Sequence, residues 1–219
     1  MKFSARTIQI MRNFSTINPS LIFNAGVDLK TISTSKSIMA RATIDSVIDK
    51  TFAIYDLSQF LGAISMFSEP ELQISDTAVR ITSGSERMSY TCSEPSLIMA
   101  APSKDIVLPT KDVSFDLKDA VLTRTIKALS VIGCPEISVT GDGKTIYLEA
   151  LDSKKIGASS YRVEVGDTDK DFQLIFKAEN IKLLPGDYRV TISAKGLAHF
   201  KGEDVEYWVA VEHHSKYNG

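Results

Sequence analysis

The sequence predicts an α+β protein made of two similar halves. Three observations predict it. Two helical stretches occupy matched positions in the halves. A strand-and-helix pair recurs at nearly the same offset. Most of the remainder alternates apolar and polar residues with the period of a half-buried strand. The boundaries expected are a first domain over 1–101, a connector over 102–112 and a second domain over 113–219.

The first element is a helix opening at Phe3-Ser4 and running to Ile17. A second is expected to open at Phe115-Asp116 and run to Leu129, in register 112 residues on. Ser4 and Asp116 then both serve as N-caps. Arg6 falls on Lys118, and Arg12 on Arg124. Ile10, Phe14 and Ile17 fall on Leu122, Ile126 and Leu129, one apolar stripe in each helix. Thr51–Tyr55 reads as a buried strand, followed by a helix over Asp56–Phe67 with Asp56 as its cap. About 121 residues on, Phe172–Phe176 reads as a strand, followed by a shorter helix over Lys177–Leu184 that Pro185-Gly186 ends. Val205, Tyr207, Val209 and Val211 alternate, as do Ile146, Leu148 and Ala150, and Tyr188, Val190 and Ile192. Gly141-Asp142-Gly143 is a hairpin turn. Prolines and mixed charge over Ala101–Asp112 mark the connector.

The 219 residues carry a formal charge of −2, with 43% hydrophobic and 24% charged residues. That is an ordinary globular composition, and any basic surface must be local. No apolar run is long enough to span a bilayer, and Met1–Ile10 lacks the apolar core of a secretion signal. Cys92 and Cys134 form no disulfide framework and suit a reducing compartment. The four expected helices hold seven basic and four acidic residues, so they are net positive while the rest is net negative. On a helical wheel Arg12 lies about 200° from Ile10, and Arg124 stands in the same relation to Leu122. Lys127 is also on the polar side, whereas Arg6 and Lys118 sit nearer the apolar edge. A charge run is usually a solvated helix face. Here basic residues recur at matched positions, which favours a shared purpose.

Several segments resemble the sliding clamps of T-even bacteriophages. They are Met1-Lys2-Phe3-Ser4, Arg12–Asn18, Ala53–Leu57 with Phe60-Leu61-Gly62, Leu184–Tyr188, Ala194-Lys195-Gly196 and Phe200–Glu203. Their order and spacing carry the resemblance over the whole chain. It implies a DNA-clamp fold with two similar domains per subunit. Helices line a channel, antiparallel sheets lie outside, and three subunits close a ring. It implies a non-catalytic processivity factor that encircles double-stranded DNA and tethers the replicative DNA polymerase. Further implied partners are an ATP-dependent clamp loader and the transcription machinery. The expected setting is the cytoplasm of an infected bacterium. By matching positions, the DNA-facing residues are Arg12, Arg124, Lys127, Lys177 and Lys182, then Arg6, Lys118 and Lys2. A pocket for the polymerase's tail peptide is expected at Ile106, Val107, Leu108 and Pro109, which read equally well as a plain linker strand. Subunit contacts are expected at Met88, Tyr90 and Cys92, against Tyr161 and Val163 of the next copy.

No catalytic constellation competes. His199, His213 and His214 show no metal-ligand spacing, and neither cysteine has a base beside it. No cofactor or metal is expected, and no phosphate-binding loop is present. The rival reading is a non-ring β-rich scaffold or peptide-binding module, which would have no use for a repeated basic face.

Overall fold

The computed structural model describes residues 1–218. They form two compact units, Met1–Lys104 and the residues from Asp105 onward.

The first unit opens with α1 (Ala5–Ile17). Ser4 caps it, its hydroxyl accepting from the Thr7 N–H at 3.0 Å, a bond that contributes about 1 kcal/mol. The Ser4 and Thr7 hydroxyls in turn hold the Asp45 carboxyl below its ordinary range. There follow β1 (Leu21–Phe23), β2 (Gly26–Ile32), β3 (Ile38–Ile48), β4 (Phe52–Ile54), α2 (Leu57–Ser65), β5 (Glu71–Ile74), β6 (Ala78–Ser83) and β7 (Glu86–Thr91). β1 pairs β4, β2 pairs β3, and β5-β6-β7 form a sheet, all antiparallel. Asp56 caps α2 as expected, accepting from the Gln59 N–H at 2.8 Å. The core is aromatic at its centre. Phe23 stacks on Phe52 with centroids 4.4 Å apart, and Phe60 meets both edge-on.

The second unit opens differently from the expectation. Residues around Phe115-Asp116 form a strand, β8 (Val113–Leu117), and α3 spans Asp119–Ile132. Val113, Phe115 and Leu117 are buried and Asp116 faces out, which is strand periodicity. Asp116 therefore caps nothing and accepts from Arg189 instead. The cap of α3 comes from far along the chain. Asp187 accepts from the Asp119 N–H at 2.9 Å, and Asp119 accepts from the Gly186 N–H at 2.8 Å. The remaining elements are β9 (Glu136–Asp142), β10 (Thr145–Leu151), β11 (Tyr161–Asp167), β12 (Asp171–Lys177), β13 (Tyr188–Ser193), β14 (Leu197–Lys201), β15 (Val205–Ala210) and β16 (Lys216–Tyr217). They give a five-stranded sheet ordered β11-β10-β9-β12-β16 and an antiparallel run β8-β13-β14-β15.

The alternating trios are buried as read: Ile146, Leu148 and Ala150; Tyr188, Val190 and Ile192; Val205, Tyr207 and Val209. Val211 lies just past β15. The hairpin at Gly143 is formed, with φ +82°, and Asp142 accepts from the Lys144 and Thr145 N–H groups. Gly141 has a separate duty inside β9. A Cβ there would sit 2.5 Å from the Phe172 ring.

The helix expected over Lys177–Leu184 does not form. The segment holds one 3-10 turn, Ala178–Asn180. Leu184 precedes a proline, which disfavours helix. Two buried tyrosines take its backbone instead. Its N–H donates to the Tyr207 hydroxyl at 3.1 Å, and its carbonyl accepts from the Tyr188 hydroxyl at 2.6 Å.

Candidate nucleic-acid interface

The basic residues sort by what holds them. α1 buries Thr7, Ile10, Met11, Phe14 and Ile17, which leaves Arg12 on the exposed side with Ala5, Gln9 and Thr16. α3 buries Leu122, Thr125 and Leu129, which leaves Arg124 and Lys127 exposed on its own outer side. Among the described residues none of Arg12, Arg124 and Lys127 forms an ion pair. These three cations are open to an anion from outside. α2 presents only Ser58, Gln59, Gly62 and Ser65 outward. The three helices together hold four basic residues and one acidic one, in a chain that is net negative elsewhere.

The other basic candidates are engaged or displaced. Lys118 pairs with Asp187 at 2.7 Å; that carboxylate raises the Lys118 ammonium, which in turn lowers Asp187. Lys2 lies 3.7 Å from both Glu69 and Glu71. Arg6 donates to Gln9 at 2.8 Å. Lys177 ends β12 and Lys182 sits half-buried in the following loop, so neither is on a helix.

The candidate interface residues fall on sheet edges. β7 is the last strand of its three-stranded sheet, and β11 is the last of the five-stranded one. Met88 stands opposite buried Ile81, and Val163 opposite buried Leu148. Each apolar row therefore reaches its edge half-exposed. Tyr161 begins β11. Tyr90 is committed to its own unit: it meets Phe60 edge-on at 5.1 Å, and its hydroxyl donates to Gln59 at 2.8 Å. Cys92 follows β7, its N–H donating to the Thr77 carbonyl.

Of the connector candidates, Val107 is 80% exposed and Pro109 is exposed, while Ile106 and Leu108 are half-buried. A cavity of about 470 Å³ lies in the first unit, where Leu21 and Ile22 face Met99, Ala100, Ala101 and Pro102. The apolar run Ile98–Ala101 ahead of the connector was its signal in the sequence.

The groups set aside as catalytic behave as structure. Burial pushes both the Cys92 and Cys134 thiols up, away from the reactive thiolate. His199 contacts Glu206 at 2.8 Å and stacks on Trp208. Glu212, His213 and His214 bring three ligand-type atoms within 4.8 Å of one another, a convergence their consecutive spacing did not announce. His214 is already engaged by Glu136 and Ser153, each at 3.4 Å.

The chain is similar to known proteins along its length. Residues 3–108 match the family described as DNA polymerase processivity factor, and residues 114–213 match gp45 sliding clamp, C terminal. The sliding clamp of Vibrio phage KVP40 is 31% identical, over 97% of this chain and 99% of that one. The sliding clamp of Enterobacteria phage T4 is 28% identical over 97% of each. Among solved structures, the A. fulgidus PCNA bound to the C-terminal region of FEN-1 superposes with a TM-score of 0.70. It is 14% identical and covers 95% of this chain and 96% of that one, a likeness of fold. With relatives this similar from end to end, the chain belongs to the phage sliding-clamp family of DNA polymerase processivity factors.

Proposed function

We propose that three copies of this chain close head to tail into a ring that encircles duplex DNA and tethers the replicative polymerase. The observation that carries the reading is the set of unpaired, outward cations Arg12, Arg124 and Lys127 on helices of an otherwise acidic protein. A sliding ring must attract phosphates without gripping them, and a sparse basic lining does this without base readout. The half-exposed rows ending at Met88 and Val163 support closure by pairing β7 of one copy with β11 of the next. An ATP-driven loader opens the ring, and the energy comes from the loader. A short apolar polymerase peptide docks near the connector, at Ile106–Pro109 or the cavity beneath Met99–Pro102. The protein catalyses no reaction itself and works in the cytoplasm of the infected bacterium.

The solution mass tests the assembly. Light scattering over a dilution series is expected to give three chains per particle. A monomer at every concentration would favour a scaffold that kept the clamp fold.

A further inference from the structure

One rim of the five-stranded sheet carries a cluster of exposed lysines, and α3 ends on it. Glu136 at the start of β9 stands opposite Leu151 at the end of β10 and Lys177 at the end of β12. The 152–160 loop therefore leaves the sheet at this same rim. α3 stops at Gly133, whose φ of +66° turns the chain, and Cys134-Pro135 leads directly into β9. The Cys134 thiol donates to the Ser159 carbonyl at 3.4 Å, which ties the loop to the helix end.

The rim carries exposed Lys154, Lys155 and Lys177 against one exposed acid, Glu179. Asp152 is half-buried. Glu136 is 6% exposed and already receives the Ser153 N–H at 3.0 Å. Lys154 and Lys177 border one concavity of about 460 Å³ with Pro135, Ala178 and two acids, Glu136 and Glu179. The opposite rim has the reverse character. There Asp142, Asp167, Asp169 and Asp171 are exposed beside Lys144, and Lys170 is bound to the Tyr217 hydroxyl at 2.8 Å. The sheet is thus charge-asymmetric: the far rim is net negative, while the rim where α3 terminates is balanced overall, with lysines making up most of its exposed charge. Lys127 lies six residues before Gly133, about 9 Å along the helix axis.

We infer that Lys154, Lys155 and Lys177 form a second contact for the DNA backbone, a basic lip that continues the α3 lining onto the rim of the sheet. The inference rests on the sliding-clamp reading. Flexible lysines meet phosphates as point charges without bidentate geometry, so they guide a duplex without fixing it. The loop also carries Ile156, 104% exposed, between Lys155 and Gly157. An isolated apolar tip suits a protein partner better than a phosphate, so it serves as the control.

The test is the salt dependence of apparent duplex-DNA affinity between about 25 and 200 mM salt, measured by fluorescence anisotropy on a labelled duplex with both ends blocked, with full-length protein of verified mass, its matched loader and ATP. Lys154→Ala/Lys155→Ala/Lys177→Ala is expected to shrink the slope of log affinity against log salt by about 3, one phosphate contact per subunit. Ile156→Ser is expected to leave the slope unchanged. If Arg12→Ala/Arg124→Ala shrinks the slope and the lysine variant does not, the lip is wrong and the clamp reading stands. If neither changes it, or the loaded wild type is not held on the end-blocked duplex, the DNA reading fails and the lip with it. Weakening by Ile156→Ser with the lysine variant unaffected would place the apolar tip rather than the lysines against the duplex, and would overturn the lip.

Discussion

Reversing Arg12 and Arg124 to glutamate is expected to remove most of the salt-sensitive attraction between the ring and duplex DNA. Each phosphate contact contributes about 0.9 to the slope of log affinity against log salt, and a three-subunit ring brings two such arginines per chain. The slope should therefore fall by about 5, and retention at low salt should fall by orders of magnitude. Both side chains are exposed and form no ion pair among the described residues, so folding and ring mass should be unchanged. Lys118→Glu makes the contrast. Its ammonium is held by Asp187, so its reversal should disturb the start of α3 more than it disturbs DNA binding. Equal slopes for wild type and the double reversal would place the duplex elsewhere.

Val163→Asp is expected to turn the ring into monomers. Val163 continues the apolar row of Leu148 to the open edge of β11, and Met88 continues that of Ile81 to the edge of β7. Pairing these edges would bury both side chains against a neighbouring copy. A carboxylate there leaves a charge without a partner at each of the three interfaces, at a cost of about 3 kcal/mol. Over three interfaces that is about 9 kcal/mol per ring, and since trimer dissociation depends on concentration squared, the concentration at which the ring dissociates rises about a thousandfold. Met88→Asp should act from the other edge with a similar result. Light scattering or sedimentation on dilution reads the effect. A trimer indifferent to both substitutions would move the interface away from these strands.

The parts of the fold legible in the sequence were those set by local periodicity. β10, β13 and β15 each bury every second residue, and the pattern is visible without a structure. Ser4 and Asp56 were legible as caps because each acts on an N–H three residues ahead. Asp116 failed the same reading, since an acidic residue after Phe115 looks like a cap. The alternation of Val113, Phe115 and Leu117 was the stronger signal. The 177–184 segment misled because its helical spacing is real, while the tyrosine hydroxyls that hold it extended come from Tyr188 and Tyr207. Gly141 is explained only by the Phe172 ring on the neighbouring strand.

For the candidate site, the wheel placed Arg12, Arg124 and Lys127 on exposed faces because amphipathic spacing is local. It could not show that Lys118 is neutralised from 69 residues away, or that Lys2 faces Glu69 and Glu71. Long-range charge pairing leaves no trace in spacing. Lys154 and Lys155 escaped notice for the same reason: only strand register brings them beside Lys177 at the end of α3.

Encirclement is tested most directly by topology. The protein would be loaded by its matched loader onto nicked circular DNA, separated from unbound protein, and the DNA then cut once. The account predicts retention on the circle and rapid loss from the cut ends, since a ring slides off a linear duplex. Retention that survives linearisation would mean the protein grips its DNA site, and would contradict a sliding ring.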